Sequence, residues 1–275
     1  MRPRAPTRSE RCVRTVIGRT RLDRSDGPLL VVVGVFDGLH LGHAYLLEHL
    51  VREARARAAR AAVITFDAHP DAVLLGHAPP LLMDPAERLE HLSEFGVEVV
   101  VVEHFDEALR QTTYDDFIHG ITSRCALAGI VMTPDAAFGH DRAGTPATVG
   151  ALGERDGFEV VVVPPFALDG REVRSSEIRA AITSGDLAPA ARLLGRSYAI
   201  VGELDSGGTM TFAMPVALPP AGSYDGWSSG RRVGVDISAI GTVVLVDADR
   251  AVEADERDSR TTGSGARVTL ASRSA

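Results

Sequence analysis

Two histidines frame a glycine in Leu39-His40-Leu41-Gly42-His43, directly after the Phe36-Asp37-Gly38 break in an apolar run. Imidazoles one helical turn apart can address a single phosphoryl group, donating hydrogen bonds or positive charge to it. The run before them, Leu29 to Val35, is continuous, apolar and largely β-branched, the pattern of a strand buried on both faces. From Ala44 onward, Leu46, Leu47, Leu50 and Val51 recur at helical spacing. The stretch is thus expected to be a strand, a tight turn and a helix, with both imidazoles at the turn. In an open parallel sheet, ligands bind beyond the carboxyl ends of the strands, and a helix beginning there offers unpaired N–H groups to an anion. Gly34, Gly38 and Gly42 let backbone come close to such a ligand. Two blander readings compete. His-x-x-His can be a pair of metal ligands, but two imidazoles do not complete a site, and Cys12 and Cys125 lack metal-ligand spacing. The histidines can also merely cap a core helix. Two of them around a glycine, after a buried strand and an Asp-Gly turn, favour the phosphate reading.

Three further segments carry chemistry. In Val173-Arg174-Ser175-Ser176-Glu177-Ile178-Arg179, Ser175 or Ser176 suits a helix N-cap, with Arg179 on the first turn. Hydroxyls, free N–H groups and a guanidinium would converge where an anion sits; an ordinary capped helix with a surface arginine has the same letters. In the segment Thr133 to Thr145, Asp135 can hold a ribose or base group and Arg142 can meet a phosphate, the alternative being a plain polar loop. At Asp67-Ala68-His69-Pro70, after the apolar run AAVITF, His69 reads in isolation as a turn residue stiffened by Pro70.

GVFDGLHLGH resembles the nucleotide-binding signature of the HxGH nucleotidylyltransferases. Among these it is most similar to the adenylyltransferase half of bacterial bifunctional riboflavin kinase/FMN adenylyltransferases, the FAD synthetases. Thr65, Phe66, His69 and Pro70 match that family's Thr-Phe-x-x-His-Pro, with Asp67-Ala68 where the family has Glu-Pro. Asp135, Phe138, Gly139 and Arg142 match its Gly-x-Asp-Phe-x-Phe-Gly and the arginine that follows. Thr133 replaces the glycine there, and Ala136 and Ala137 replace a large aromatic and a polar residue. Ser175, Ser176, Ile178 and Arg179 match its Ser-Ser-Thr-x-Ile-Arg, with Arg174 standing for the first serine. The resemblance runs from about Leu29 to Glu203.

It implies transfer of AMP from MgATP to the phosphate of FMN, releasing pyrophosphate and forming FAD. His40 and His43 would stabilise the α- and leaving phosphates, with Arg179, Ser175 and Ser176 at the β/γ end. Gly34, Phe36, Asp37, Gly38 and Gly42 would line the nucleotide site, together with Asp135, Phe138 and Arg142. Asp67 and His69 would lie on the acceptor side. Magnesium would arrive bound to the nucleotide rather than in a protein metal site. Two alternatives are a related AMP or CMP transferase with another phosphorylated acceptor, and a non-catalytic nucleotide-binding regulator. The altered Thr133 to Ala137 loop keeps the first alternative in view; the paired histidines argue against the second.

The elements that must position these residues follow from periodicity. Apolar runs predict an edge strand at Val13 to Ile17 and buried strands at Ala61 to Phe66, Val97 to Glu103, Gly129 to Met132 and Phe158 to Val163. Helices are expected over Ala44 to Arg60, Ala86 to Phe95, Tyr114 to Ala128 and Thr145 to Arg155. The alternation predicts an α/β fold, a Rossmann-like, mostly parallel sheet flanked by helices. After Tyr198 short runs between Gly/Pro/Ser clusters predict a small β-rich, barrel-like domain, with a loose acidic stretch from Ala254 to Gly265. The expected division is a leader with a possible edge strand at 1–28, a transferase domain at 29–196 and the β domain at 197–275. In the family that position holds the riboflavin kinase barrel. Its Gly-Phe-Pro-Thr-Ala-Asn motif is missing around Phe212-Ala213-Met214-Pro215, so kinase activity is not expected.

The 275 residues carry a net charge of −8, which argues against nucleic-acid or anionic-membrane partners. All 29 basic residues are arginine, so arginine must do any phosphate clamping. No apolar run approaches the ~20 residues of a membrane span, and two unpaired cysteines fit a reducing cytoplasm.

Overall fold

The apolar runs become strands because their side chains are buried on both faces of one sheet. A computed structural model describes residues 13–246 and 265–273. Its strands β1 (Arg14–Ile17), β2 (Leu29–Val33), β3 (Arg60–Phe66), β4 (Val99–Glu103), β5 (Leu127–Met132) and β6 (Glu159–Val162) form a sheet in the order β1-β4-β3-β2-β5-β6. All five pairings are parallel. In the register, Val31 faces Ala62 on one side and Ile130 on the other, which puts β2 at the centre. Leu29, Val31, Ala62, Ile64, Val99, Val101 and Ile130 share a core with Phe117, Ile118, Ile121, Val149 and Leu152. The alternate residues Leu30, Val32, Val63, Val100 and Val131 are equally buried, so the sheet is covered on both faces.

The helices are α1 (Leu41–Ala56), α2 (Asp71–Leu74), α3 (Pro85–Glu94), α4 (Glu107–Gln111), α5 (Tyr114–Thr122), α6 (Pro146–Asp156), α7 (Ser175–Ser184) and α8 (Leu187–Leu194). Thr145 caps α6 in a reciprocal capping box with Thr148, Pro146 opens it and left-handed Gly157 closes it. Some expected bounds move. α1 begins at Leu41 rather than Ala44, so His43 lies within its first turn. It stops at Ala56, because Arg60 is drawn into β3 opposite Leu29. α5 stops at Thr122 rather than Ala128, because Leu127 and Gly129 pair with Leu29 and Leu30. Short α2 and α4 carry too few turns to show a period.

After a short hairpin, β7 (Ala167–Leu168) and β8 (Arg171–Glu172), the C-terminal strands close on themselves. β9 (Ala199–Leu204), β10 (Thr209–Thr211), β11 (Gly222–Ser228), β12 (Arg231–Ile237), β13 (Val243–Val246) and β14 (Gly265–Arg273) form an antiparallel barrel in the order β10-β13-β12-β11-β14-β9. Its interior is filled by the alternate residues Tyr224, Val233, Val235, Val243, Leu245 and Val268. Residues 1–12 and 247–264, including Cys12 and most of the acidic stretch, lie outside the described residues.

Two compact units emerge. One holds 1–36, 42–79 and 89–167, with the parallel sheet; the other holds 37–41, 80–88 and 168–275, with the barrel. Both are discontinuous in sequence. Among the described residues no helix is long and apolar enough to cross a membrane. Leu50, inaccessible on α1, gives a direct test of the sheet's packing. Leu50→Ala should lower the unfolding free energy by about 2–5 kcal/mol in chemical denaturation; a loss well under about 1 kcal/mol would show that this face is not close-packed.

Candidate active site

The turn between β2 and α1 is held in an uncommon backbone conformation. Phe36 (φ 54°), Gly38 (φ 79°) and Leu39 (φ 38°) all lie in the left-handed region. Glycine takes this freely, and a Cβ at Gly38 would also come within 2.9 Å of Leu82 Cβ. For Phe36 and Leu39 such backbone costs about 1–3 kcal/mol each and persists only where surrounding contacts over-determine it.

Those contacts are polar. The Asp37 carboxylate, buried, accepts the Leu82 amide at 2.9 and 3.1 Å and an Arg179 N–H at 2.8 Å. Arg179 also donates through Nε to the Pro80 carbonyl at 2.7 Å. Ser175 Oγ donates to the Asp37 carbonyl at 3.0 Å. Arg196 donates to the Gly38 carbonyl at 2.8 Å and to the Leu39 carbonyl at 3.3 Å. The turn carrying His40 and the start of α7, about 140 residues apart, are therefore joined within one unit.

The expected serine cap is not what the structure has. Neither serine caps α7: Arg174 is its N-cap, extended and without a side-chain cap bond. Ser175 is the first helical residue, its hydroxyl spent on the Asp37 carbonyl, while Ser176 is exposed. Asp37 and Arg179 face each other in a pair whose side chains are 4% and 15% exposed, so both act first on the turn. Burial raises the Asp37 carboxyl above its ordinary value, against the Leu82 amide, Arg179 and Arg88, which pull it back. His40 is buried, and burial, aided by the Arg196 charge, pushes its imidazole down to about 4. At neutral pH it is an uncharged hydrogen-bonding ring rather than a cation.

The remaining candidates belong to the sheet unit. His43, in the first turn of α1, lies 5.1 Å from the Phe36 ring between centroids. That turn holds no acidic residue, so nothing offsets the positive end of the helix dipole. A Cβ at Gly34 would stand 3.1 Å from the Phe36 ring, and Gly42 lies inside α1. Asp67, just past β3, accepts from the Phe105 amide at 3.2 Å and lies 2.6 Å from His104 Nδ1. This contact raises the exposed His104 imidazole. His69 Nδ1 accepts the Asp71 amide at 3.2 Å. Asp135 accepts from Thr133 Oγ1 at 2.8 Å. Phe138 lies 5.5 Å from Phe117 between ring centroids, the rings tilted by 58°, and packs against the core. Arg142 is exposed, with left-handed backbone (φ 55°).

A family model described as FAD synthetase matches residues 23–177, more than half of the chain. The chain belongs to the FAD synthetase family. A bifunctional riboflavin kinase/FMN adenylyltransferase of Haemophilus influenzae is 32% identical over 191 residues, covering 68% of this chain and 62% of that protein. The protein of the same description in Escherichia coli K12 is 30% identical over 195 residues, covering 70% and 62%. The chain thus spans about 62% of the length of these relatives. A solved structure described as a macrolide-efflux protein from Streptococcus pneumoniae superposes with a TM-score of 0.74 at 24% identity, covering 96% of this chain and all of that one. That likeness speaks to the fold.

Within this FAD synthetase-family chain, sequence reading missed Arg196, the Leu82 amide and His104. Arg196 sits in an unremarkable LLGRSY, and nothing local marks a backbone amide as the partner of a carboxylate 45 residues away. His104 alone had a signal, as a histidine just past the apolar run of β4. The buried His40 has a pH consequence. Its folded value lies below the unfolded 6.5, so the unfolded chain takes up a proton first as pH falls. Stability should therefore decline between pH 6.5 and about 4, and a His40→Gln variant should decline less over that window in denaturant titrations. Parallel pH profiles would show that His40 is not buried in this way.

Proposed function

We propose that the protein transfers AMP from MgATP to the phosphate of FMN, forming FAD and releasing pyrophosphate. The observation that carries this reading is the tie between the His40 turn and the Ser175–Arg179 helix start, at the edge where β2 gives way to α1. It links the turn that carries the His40 imidazole to the helix start that carries Ser175, Ser176 and Arg179, and imidazole, hydroxyl and guanidinium are donor types that suit a polyphosphate. The family, and the names of relatives that share about two thirds of this chain, point to the same chemistry.

In this mechanism an oxygen of the acceptor phosphate attacks the α-phosphorus, the new P–O bond forms, and the bond to the β-phosphate oxygen breaks. The electron pair leaves with pyrophosphate, and no bond to the enzyme forms. Catalysis comes from holding the reactants in line and from donors aimed at the charge that develops. His40, neutral, donates an N–H to the α-phosphate, and His43 and the free amides of the first turn of α1 meet the leaving phosphates. Ser175, Ser176 and Arg179 are assigned to the β/γ end, and Gly34, Gly42 and Arg142 to nucleotide binding. Asp67, His69 and Asp135 lie on the acceptor and ribose side. Among the described residues no group of three or more His, Cys, Asp or Glu could hold a metal ion. In this reading magnesium arrives bound to the nucleotide, and no step is assigned to a protein-bound ion. The barrel acts as support rather than as a kinase, since the phosphate motif is lacking at 212–215, and the reaction takes place in the cytoplasm.

A second acceptor remains a distinct reading, favoured by one observation: Asp67 and Phe138 are engaged with His104 and Phe117. Pyrophosphate release measured with ATP or CTP and a panel of phosphorylated acceptors separates the two. Turnover with FMN supports FAD synthesis; turnover only with another acceptor rejects it. His43→Ala should stay folded and lose about 100-fold or more in turnover. Retention of full turnover would remove His43 from the mechanism.

A further inference from the structure

The segment 80–88 stands between the barrel and the His40 turn, and every contact below lies within one unit. On the barrel side, Leu81 forms a parallel bridge with Val216. The Leu81 amide donates to the Pro215 carbonyl at 2.8 Å, and the Ala217 amide donates to the Leu81 carbonyl at 2.8 Å. The Tyr198 hydroxyl, buried at the start of β9, donates to the Ala217 carbonyl at 2.6 Å and fixes that side of the bridge. At the far end, Glu87 is 8% exposed and accepts from Arg267 Nε of β14 at 2.7 Å. On the other side, the next amide, Leu82, holds the Asp37 carboxylate, and the Pro80 carbonyl holds Arg179. Leu82, Glu87, Arg196, Tyr198 and Arg267 lie around one shallow cleft, so the arginine that fastens the turn and the one that fastens the segment are neighbours.

A residue cannot slide along this ladder independently. Leu81 and Leu82 are consecutive, one pinned to the connection between β10 and β11 and the other to the turn, so movement of that connection shifts the amide that Asp37 accepts from. The left-handed Phe36 and Leu39 backbone needs such restraint. We propose that the segment 80–88 is a strap through which the barrel sets the His40 turn, and that Arg267 is a positioning residue for phosphoryl transfer. The proposal rests on the function above for its catalytic part only; the mechanical coupling is a property of the fold.

The test is amide hydrogen exchange on the full chain, read at Leu81, whose amide is bonded to Pro215, and at Leu82, whose amide is bonded to the Asp37 carboxylate of the turn, for wild type and Arg267→Ala. Exchange at both places should quicken together, by about tenfold, while the β12 amides from Val233 to Ile237 stay protected. Arg267→Lys should restore most of the protection, and Glu87→Gln, which keeps the shape and loses the charge, should reproduce the effect if Arg267→Ala proves unfolded. Arg232→Ala, which removes an exposed pair with Asp225 elsewhere on the barrel, should leave exchange unchanged. With MgATP and FMN, Arg267→Ala should lower kcat several-fold and leave the KM for MgATP within about twofold. Unchanged exchange at Leu82 in both Arg267→Ala and Glu87→Gln overturns the strap, whatever turnover does. Absence of wild-type turnover with every acceptor overturns the transferase reading instead, and leaves the exchange result to decide the coupling.

Discussion

A carboxylate kept from water beside a guanidinium, Asp37 with Arg179 at 2.8 Å, is the contact on which the rest of the arrangement depends. Burying such a pair removes two charges from solvent, and the mutual attraction offsets that only when further hydrogen bonds satisfy both groups. Here they do: two contacts from the Leu82 amide reach the carboxylate, and the Pro80 carbonyl takes Arg179 Nε. What the pair contributes is a definite geometry rather than bulk stability. It joins the turn after β2 to the helix start of α7, and with Ser175 and Arg196 it holds Phe36 and Leu39 in backbone that neither would adopt alone.

The chemistry follows from that restraint. Burial leaves His40 uncharged at neutral pH, so in the proposed reaction it would serve as a fixed N–H donor, and positive charge would come from arginine, the only strongly basic side chain in this chain. Donors fixed before reaction need no reorganisation as charge develops on phosphate oxygens, which is where most of such a rate enhancement originates. Arg179 and Asp37 hold the backbone of the turn, and the letters of the motif alone do not separate that duty from direct contact with a ligand.

How much could be read in advance depended on how local the cause was. β2 was legible because a strand buried on both faces must be apolar throughout, and a parallel sheet followed from strands alternating with helices. The barrel was legible as short runs between turn residues. The end of α5 was not: Cys125 to Ala128 suits a helix, and only pairing of Leu127 and Gly129 with β2 draws them into the sheet. The serine of α7 looked like a cap because serine usually is one there. A distant carbonyl, that of Asp37, takes its hydroxyl instead. Arg196 and Leu82 had no local signature at all, since their partners are set by chain folding across roughly 45 to 160 residues.

The most direct measurement is a double-mutant cycle on unfolding free energy with Asp37→Asn, Arg179→Gln and the pair together. If the two side chains hold the turn as one unit, the double variant costs little more than either single one, a coupling of about 1–3 kcal/mol. Additivity within about 0.5 kcal/mol would contradict that, and with it the claim that this pair holds the turn.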